Sequence, residues 1–263
     1  MSGRQSPPTT PGKLPARRVG IARLMSKRGL CSRSEAAKLV LAGRVLLNGR
    51  KVSDPEHPCD EHADRVQVDG EATLVAEPVY LMLNKPRGLL CTASDEHGRE
   101  TVYRCFDAAQ LDQRPLPWIA PVGRLDKASE GLLLFSNDPE WAARITDPAS
   151  GPDKTYHVQI DRVADAALLS RLREGAIDAG ERLAAKAVRL LRQGERNSWL
   201  EITLDEGRNR QIRRLLATQD VAVKRLIRVA IGELPLGQLA KGAWRALDAA
   251  EVDALGRQLR SPR

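Results

Sequence analysis

At 263 residues and 42% hydrophobic composition, the chain can hold a catalytic domain plus a small module, and wholesale disorder is excluded. Forty-two Lys and Arg against 34 Asp and Glu leave a formal charge of +8, which suggests a polyanionic partner without naming it. No apolar run approaches the roughly twenty residues of a membrane span. The start, MSGRQSPPTTPGKLP, lacks the hydrophobic stretch of a secretory signal. Cys31, Cys59, Cys91 and Cys105 form no CxxC pair, so they read as reduced, cytoplasmic thiols rather than a zinc or redox site.

Residues 1–16, rich in Pro, Ser, Thr and Gly, read as a disordered leader. Positive charge is then concentrated: up to Ser53 there are twelve Lys/Arg and one acid, Glu35. Ile21, Leu24 and Met25 fall at helical spacing over 19–28, with Gly29 as a terminator. Ser32 followed by Glu35 is a capping box that opens a second helix, which Gly43 closes. Asn48-Gly49 between apolar flanks predicts a type I′ hairpin, and residues 65–68 a returning strand. Basic residues within capped helices with so little acid nearby repel one another unless an anion relieves them, so nucleic-acid binding outranks a passive solvated face.

The stretch LMSKRGLCSRSEAAKLVLAGRVLLNGRKV resembles the αL RNA-binding motif shared with the fourth small-subunit ribosomal protein. The resemblance spans about 17–70 and makes Lys27, Arg28, Arg33, Arg44 and Arg50 candidates for phosphate contacts. That motif also occurs in non-enzymes and does not fix function alone.

Residues 71–78 read as a linker, 79–253 as a catalytic domain and 254–263 as a tail. YLMLNKP is an apolar strand stopped by Pro86. GLLLFS (131–136) is a continuous apolar run of the kind buried on both faces. TYHVQI and WLEITL alternate as half-buried strands, whereas DAALLSRLREG and RQIRRLLATQ are helical, an irregular α+β pattern. Residues 92–117 show weak periodicity and read as a long mobile loop.

Three segments could carry chemistry. Asp126 lies in a polar turn ahead of the buried strand, with Arg124 two residues before it. A turn or cap aspartate is the commoner use of such a residue; an acid on a loop held by a rigid strand is how folds present catalytic groups. In EGRNRQIRR, Asn209 could cap a helix whose first turn is crowded by Arg208, Arg210, Arg213 and Arg214, against the helix dipole. The crowding makes sense if those arginines meet phosphates or a carboxylate, and Lys224, Arg225 and Arg228 would extend the patch. Tyr156 shares a strand face with Val158 and Ile160; alone it is more often core, though one tyrosine could stack on one base.

NKPRG (84–88), GRLDKASEGLLLFSND (123–138), KTYHV (154–158) and EGRNRQIRR (206–214), in that order, resemble the bacterial ribosomal-RNA pseudouridine synthases of the RsuA/RluB/RluE/RluF type, and look nearest to the RluF-like and RluE-like branches. The resemblance implies a catalytic domain on a mixed, mainly antiparallel sheet, acting on a flipped-out uridine of ribosomal RNA, with the large subunit favoured and the small subunit and tRNA open. It implies Asp126 as the catalytic carboxylate, Arg213 as its partner and Tyr156 against the base. Arg124, Lys127, Arg208, Asn209, Arg210 and Arg214 would touch RNA, and Ile212 would floor the pocket. Lys127 stands where the family often has an aromatic. No metal or cofactor is expected, since His57, His62, His97 and His157 do not cluster, and the protein is expected to act as a monomer. Two alternatives remain: a non-catalytic RNA-binding or ribosome-assembly protein using the αL module, and an RNA methyltransferase, for which NKPRGLL is a poor nucleotide cradle.

Overall fold

The computed structural model describes residues 18–257, apart from 74–75, 94, 96, 108 and 112–113. The expected leader, 1–16, and the end of the expected tail lie outside the described residues. The chain divides into two compact units after Val75.

In the first unit, β1 (Arg18–Gly20) leads into α1 (Ile21–Lys27) and α2 (Arg33–Leu41). The Ser32 hydroxyl accepts from the Glu35 amide, as the capping box requires. Gly29 (φ +72°) ends α1: its amide and that of Leu30 bond back to Ser26 and Met25, closing a Schellman turn. β2 (Val45–Leu47) and β3 (Arg50–Lys51) flank Asn48 and Gly49, both at positive φ as a type I′ turn demands. β4 (Pro58–Asp60) pairs with β1, while β5 (Val66–Val68) and β6 (Glu71–Ala72) complete the small sheet in the order β3-β2-β5-β6. Ile21, Leu24, Met25, Ala36, Val40 and Val45 form its core.

One expectation fails here. The basic run is not uncompensated, because Arg18 to Thr73 carry ten Lys/Arg and eight Asp/Glu. Lys27 pairs with Glu61 at 2.6 Å, Arg33 with Glu56 at 3.1 Å and Arg44 with Asp69 at 2.5 Å, while Arg28 donates to the carbonyls of Glu61 and Asp64. The acids come from 54–69, beyond the run in which charge was concentrated. Among the described residues, Arg50 has no such partner, nor have Arg23 and Arg65, which were not singled out.

The second unit is built on a nine-stranded mixed sheet. Its strands are β7 (Tyr80–Lys85), β10 (Ala120–Val122), β11 (Glu130–Ser136), β12 (Lys154–Ile160), β15 (Ala187–Gln193), β16 (Ser198–Leu204), β17 (Val223–Ile231), β18 (Leu234–Pro235) and β19 (Trp244–Ala246). The order β15-β16-β12-β17-β11-β7-β19 is antiparallel except where β11 meets β17. Two hairpins stand apart: β8 (Gln110–Leu111) with β9 (Arg114–Pro115), and β13 (Ala176–Asp178) with β14 (Glu181–Leu183). Among the described residues, four α-helices complete the unit: α3 (Pro139–Thr146), α4 (Ala166–Glu174), α5 (Gln211–Ala217) and α6 (Ala249–Arg257).

All seven residues of β11 are buried, which explains the unbroken apolar run. Leu133 and Phe135 enter one core with Leu81, Leu83 and Val102; Leu132 and Leu134 enter another with Met82, Trp141 and Ile145. Each such leucine contributes about 1.5–3 kcal/mol by leaving water. α4 and α5 cover β12, β16 and β17 through a third core.

Residues 92–117 are not the structureless loop expected. Val102–Phe106 form a 3-10 turn in which Val102 is fully buried, Tyr103 stacks on Trp118, and Phe106 meets Phe135 and Trp244 edge-on or tilted. The order comes from tertiary contact between sparse aromatics, which leaves no periodicity to read. No helix among the described residues is long and apolar enough to cross a membrane.

Candidate active site

Asp126 sits in the turn between β10 and β11, where the Ser129 amide donates to its carbonyl. The turn is held from beneath by Lys85, the last residue of β7, which is fully buried. Its ammonium donates to the carbonyls of Pro86 (3.1 Å), Asp126 (3.3 Å) and Ser129 (2.9 Å). Burial draws its pKa below the usual lysine value. The Gly88 amide donates to Lys127 O, and the Cys91 thiol to Leu125 O. The backbone under Asp126 is therefore fixed while its carboxylate stays about one-third exposed.

Two arginines at the start of α5, its cap Arg210 and Arg213 within it, face that carboxylate. Arg210 Nη1 lies 3.4 Å from Asp126 Oδ2 and Arg213 Nε 3.9 Å from the same oxygen. Both distances exceed the 2.7–2.9 Å typical of charge-assisted bonds, so in the free protein the carboxylate is loosely held, as active-site groups without substrate often are. Arg213 is the more enclosed of the two, its side chain 15% exposed against 51%. Burial first, then the neighbouring Arg210, lower the Arg213 pKa against the opposing pull of Asp126.

Asn209 does not cap α5. The cap is Arg210, held in the left-handed region (φ +49°), and its side chain makes no capping bond. That conformation is uncommon for a residue with a Cβ and costs about 1–3 kcal/mol where it is strained. It turns the chain so that Arg210 meets Asp126. Arg214 points elsewhere, pairing with Asp178 at 2.5 Å and Glu181 at 2.6 Å, which ties α5 to the β13–β14 hairpin. Arg208 pairs with Glu206 at 2.8 Å. Four carboxylates, Asp126, Glu206, Asp178 and Glu181, thus stand among these arginines.

Asp126, Arg213, Tyr156 and Ile212 come together around a cavity of about 190 Å³, whose wall also includes Arg124, Arg208, Arg210, Ser129, Leu226 and Arg228. A cavity of about 150 Å³ holds benzene, so this one admits a six-membered ring. A wider depression of about 750 Å³ opens beside it, lined by Lys127, Asn209, Arg99 and His97 as well as Asp126. Lys127 and Asn209 lie only on that outer side.

Two expectations about the basic patch change. Arg225 is tied to the buried Glu130 by two contacts of 3.1 Å, and Lys241 adds a third at 2.5 Å. Burial would raise the Glu130 pKa, but the two cations outweigh it and the net shift is downward. Arg228 is 5% exposed and belongs to the cavity wall, not to a surface patch. Lys85, Ser129 and Glu130 were not singled out in the sequence. The one signal for Lys85 was a lysine closing an otherwise apolar strand.

The fold and this site define a class: a small helix-and-hairpin module followed by a catalytic domain that sets an arginine-faced carboxylate at a ring-sized cavity. The RNA pseudouridylate synthase family matches residues 79–218, and the S4 domain matches 19–66. An uncharacterized RNA pseudouridine synthase of Aquifex aeolicus is 36% identical over 239 residues, covering 90% of this chain and 93% of that protein. The ribosomal large subunit pseudouridine synthase B of Haemophilus influenzae is 35% identical over 243 residues, covering 89% of this chain and 66% of that protein. A crystal structure of a pseudouridylate synthase superposes with a TM-score of 0.60 at 28% identity, covering 90% of this chain and 99% of that one. The chain belongs to the RNA pseudouridine synthase family, with an S4 domain ahead of the synthase domain.

Proposed function

We propose that this protein converts a uridine of ribosomal RNA, in the large subunit by preference, to pseudouridine, with Asp126 as the catalytic carboxylate. The observation that carries this reading is the placement of Asp126 at a ring-sized cavity beside Tyr156, faced by Arg210 and Arg213. The preference for large-subunit RNA rests on the relative in Haemophilus influenzae, whose name states that substrate. Such a reaction belongs in the cytoplasm, where ribosomal RNA is.

The isomerisation breaks the bond between ribose C1′ and uracil N1, turns the uracil, and rejoins it through C5. C5 loses its proton and N1 takes one up, so the composition of the nucleoside is unchanged. An ionised carboxylate is needed to attack the sugar or the ring, or to take up a proton. Arg210 and Arg213 place two positive charges 3.4 and 3.9 Å from that carboxylate. Tyr156 lies against the base and Ile212 floors the pocket. Extruding a uridine from a stem costs a few kcal/mol. Phosphate contacts from Arg124, Arg208, Lys127 and the S4 domain offset that cost.

The test is incubation of the protein with unmodified 23S and 16S transcripts, followed by mapping of pseudouridine. Conversion at one or a few 23S positions is expected. Conversion confined to 16S RNA would move the substrate to the small subunit. RNA binding with no conversion in either would favour a non-catalytic role.

A further inference from the structure

The cavity wall contains hydrogen-bond donors with nothing to donate to. Arg228 Nε donates to Leu132 O at 2.7 Å, but its Nη2 is buried and has no hydrogen-bond partner among the described residues. Ser129 Oγ and Arg213 Nε, in the same wall, are in the same state. A buried donor left unmade costs about 1–3 kcal/mol, more for a charged group, so three around one cavity suit a ligand that brings acceptors.

The position of Arg228 follows from the strands. β11 shares one edge between β17, at Glu130 and Gly131, and β10, from Leu134 to Ser136. Between them the Leu132 carbonyl is taken by the Arg228 side chain, which fixes the arginine stem. On its other edge β17 pairs with β12, and there Arg228 stands directly opposite Tyr156. Residues so paired lie on one face with their Cβ atoms about 4.5–5.5 Å apart. A ring lying against Tyr156 would therefore present its edge towards Arg228. Arginine has donors and no acceptor, so it can meet only an acceptor on that edge.

We infer that Arg228 donates through Nη2 to a carbonyl oxygen of the uracil ring at this site. The inference rests on the uridine reading above. A contact at O4 would also exclude cytosine, whose C4 amino group turns a donor towards the guanidinium, whereas a contact at O2 is open to both bases. A phosphate fits the same charge less well, because Arg228 is 95% enclosed within the β17 face and a phosphate would have to be stripped of water to reach it. Arg228 acts here by touching the substrate, in addition to its bond to Leu132.

The experiment compares wild type with Arg228→Met on 23S transcripts made with uridine, with 4-thiouridine throughout, or with 2-thiouridine throughout. Single-turnover product is read by chromatography and mass spectrometry of the nucleosides. Sulfur is the weaker acceptor. Wild type is expected to lose about 10- to 100-fold on the one analogue that alters the contacted oxygen, the range for a hydrogen bond to a charged group. Arg228→Met is expected to lose a similar factor on uridine and nothing further on that analogue. Equal, multiplying losses on all three RNAs would mean that Arg228 serves only the strands, and would overturn the inference. If Arg228→Met shows no cooperative unfolding, Arg228→Gln, whose amide can still donate to Leu132 O, is compared in the same way and decides by the same criterion. Wild type that makes no pseudouridine from the uridine transcripts would instead remove the reading on which the inference rests.

Discussion

Gly131 is where the geometry leaves least room for change. It is the second residue of the buried strand β11, at φ +101°, opposite Arg228 on β17. A Cβ placed on it would stand 2.2 Å from Arg228 O and 2.8 Å from Arg228 N. Both are backbone atoms of a paired strand and cannot turn aside as a side-chain end could. In Gly131→Ala the positive φ costs about 1–3 kcal/mol and forcing the two strands apart about 1–3 kcal/mol more, so about 2–6 kcal/mol in all. For a domain of this size that lowers Tm by about 5–15 °C. The same displacement moves Arg228 and Glu130, and isomerisation should fall with it. All four tryptophans (Trp118, Trp141, Trp199 and Trp244) lie in the second unit, so their fluorescence reports its unfolding. Gly237→Ala is the control: φ is +61° there, but nothing lies within 4 Å of the added carbon, so only the conformational term applies. If Gly131→Ala unfolds within 2 °C or so of Gly237→Ala, the close approach of the two strands is not what the glycine serves, and the reasoning fails.

Glu130 should make stability acid-sensitive. Its pKa is lowered in the fold, so its contribution is present above the unfolded value of about 4.3 and is lost as pH falls through the folded one. The urea midpoints of wild type and Glu130→Gln should differ most near neutral pH and converge below pH ~4; a constant gap would refute this. In the S4 domain, Arg23, Arg50 and Arg65 have no carboxylate partner among the described residues. Changing all three to Gln in the full chain should reduce the salt slope of RNA binding by about three units, and an unchanged slope would return the contacts to Lys27, Arg33 and Arg44. Of the two arginines at Asp126, Arg213 is the more enclosed, so Arg213→Gln should lower the single-turnover rate more than Arg210→Gln. The reverse order would make Arg210 the working partner.

What the sequence showed, it showed through local rules. Ser32 and Glu35, Gly29, Gly43 and Asn48-Gly49 act over four residues or fewer, and each stands where capping and turn chemistry place it. The run from Gly131 to Ser136 was legible because burial on both faces leaves a composition that polar alternation does not. Most of the misreadings involve partners distant in the chain. The carboxylates that pair with Lys27, Arg33 and Arg44 lie 34, 23 and 25 residues further along the chain. Asn209 has the chemistry of a cap, but the left-handed Arg210 displaces it. Lys85 and Arg228 are charged residues within strands, and only the meeting of β7, β11 and β17 shows that one holds the Asp126 turn and the other lines the cavity. The aromatics of 103–118 carry no period because they pack on Phe135 and Trp244 rather than along one element.

The central claim is that Asp126 carries the chemistry. Its most direct test is single-turnover release of tritium from carbon 5 of uridine in ribosomal RNA, comparing wild type with Asp126→Asn. Asparagine keeps the volume and removes the charge, so the fold and RNA binding should persist. The expected result is release by wild type and none by the variant at equal RNA occupancy. Equal release by both would leave the reaction in place and contradict the role given to Asp126.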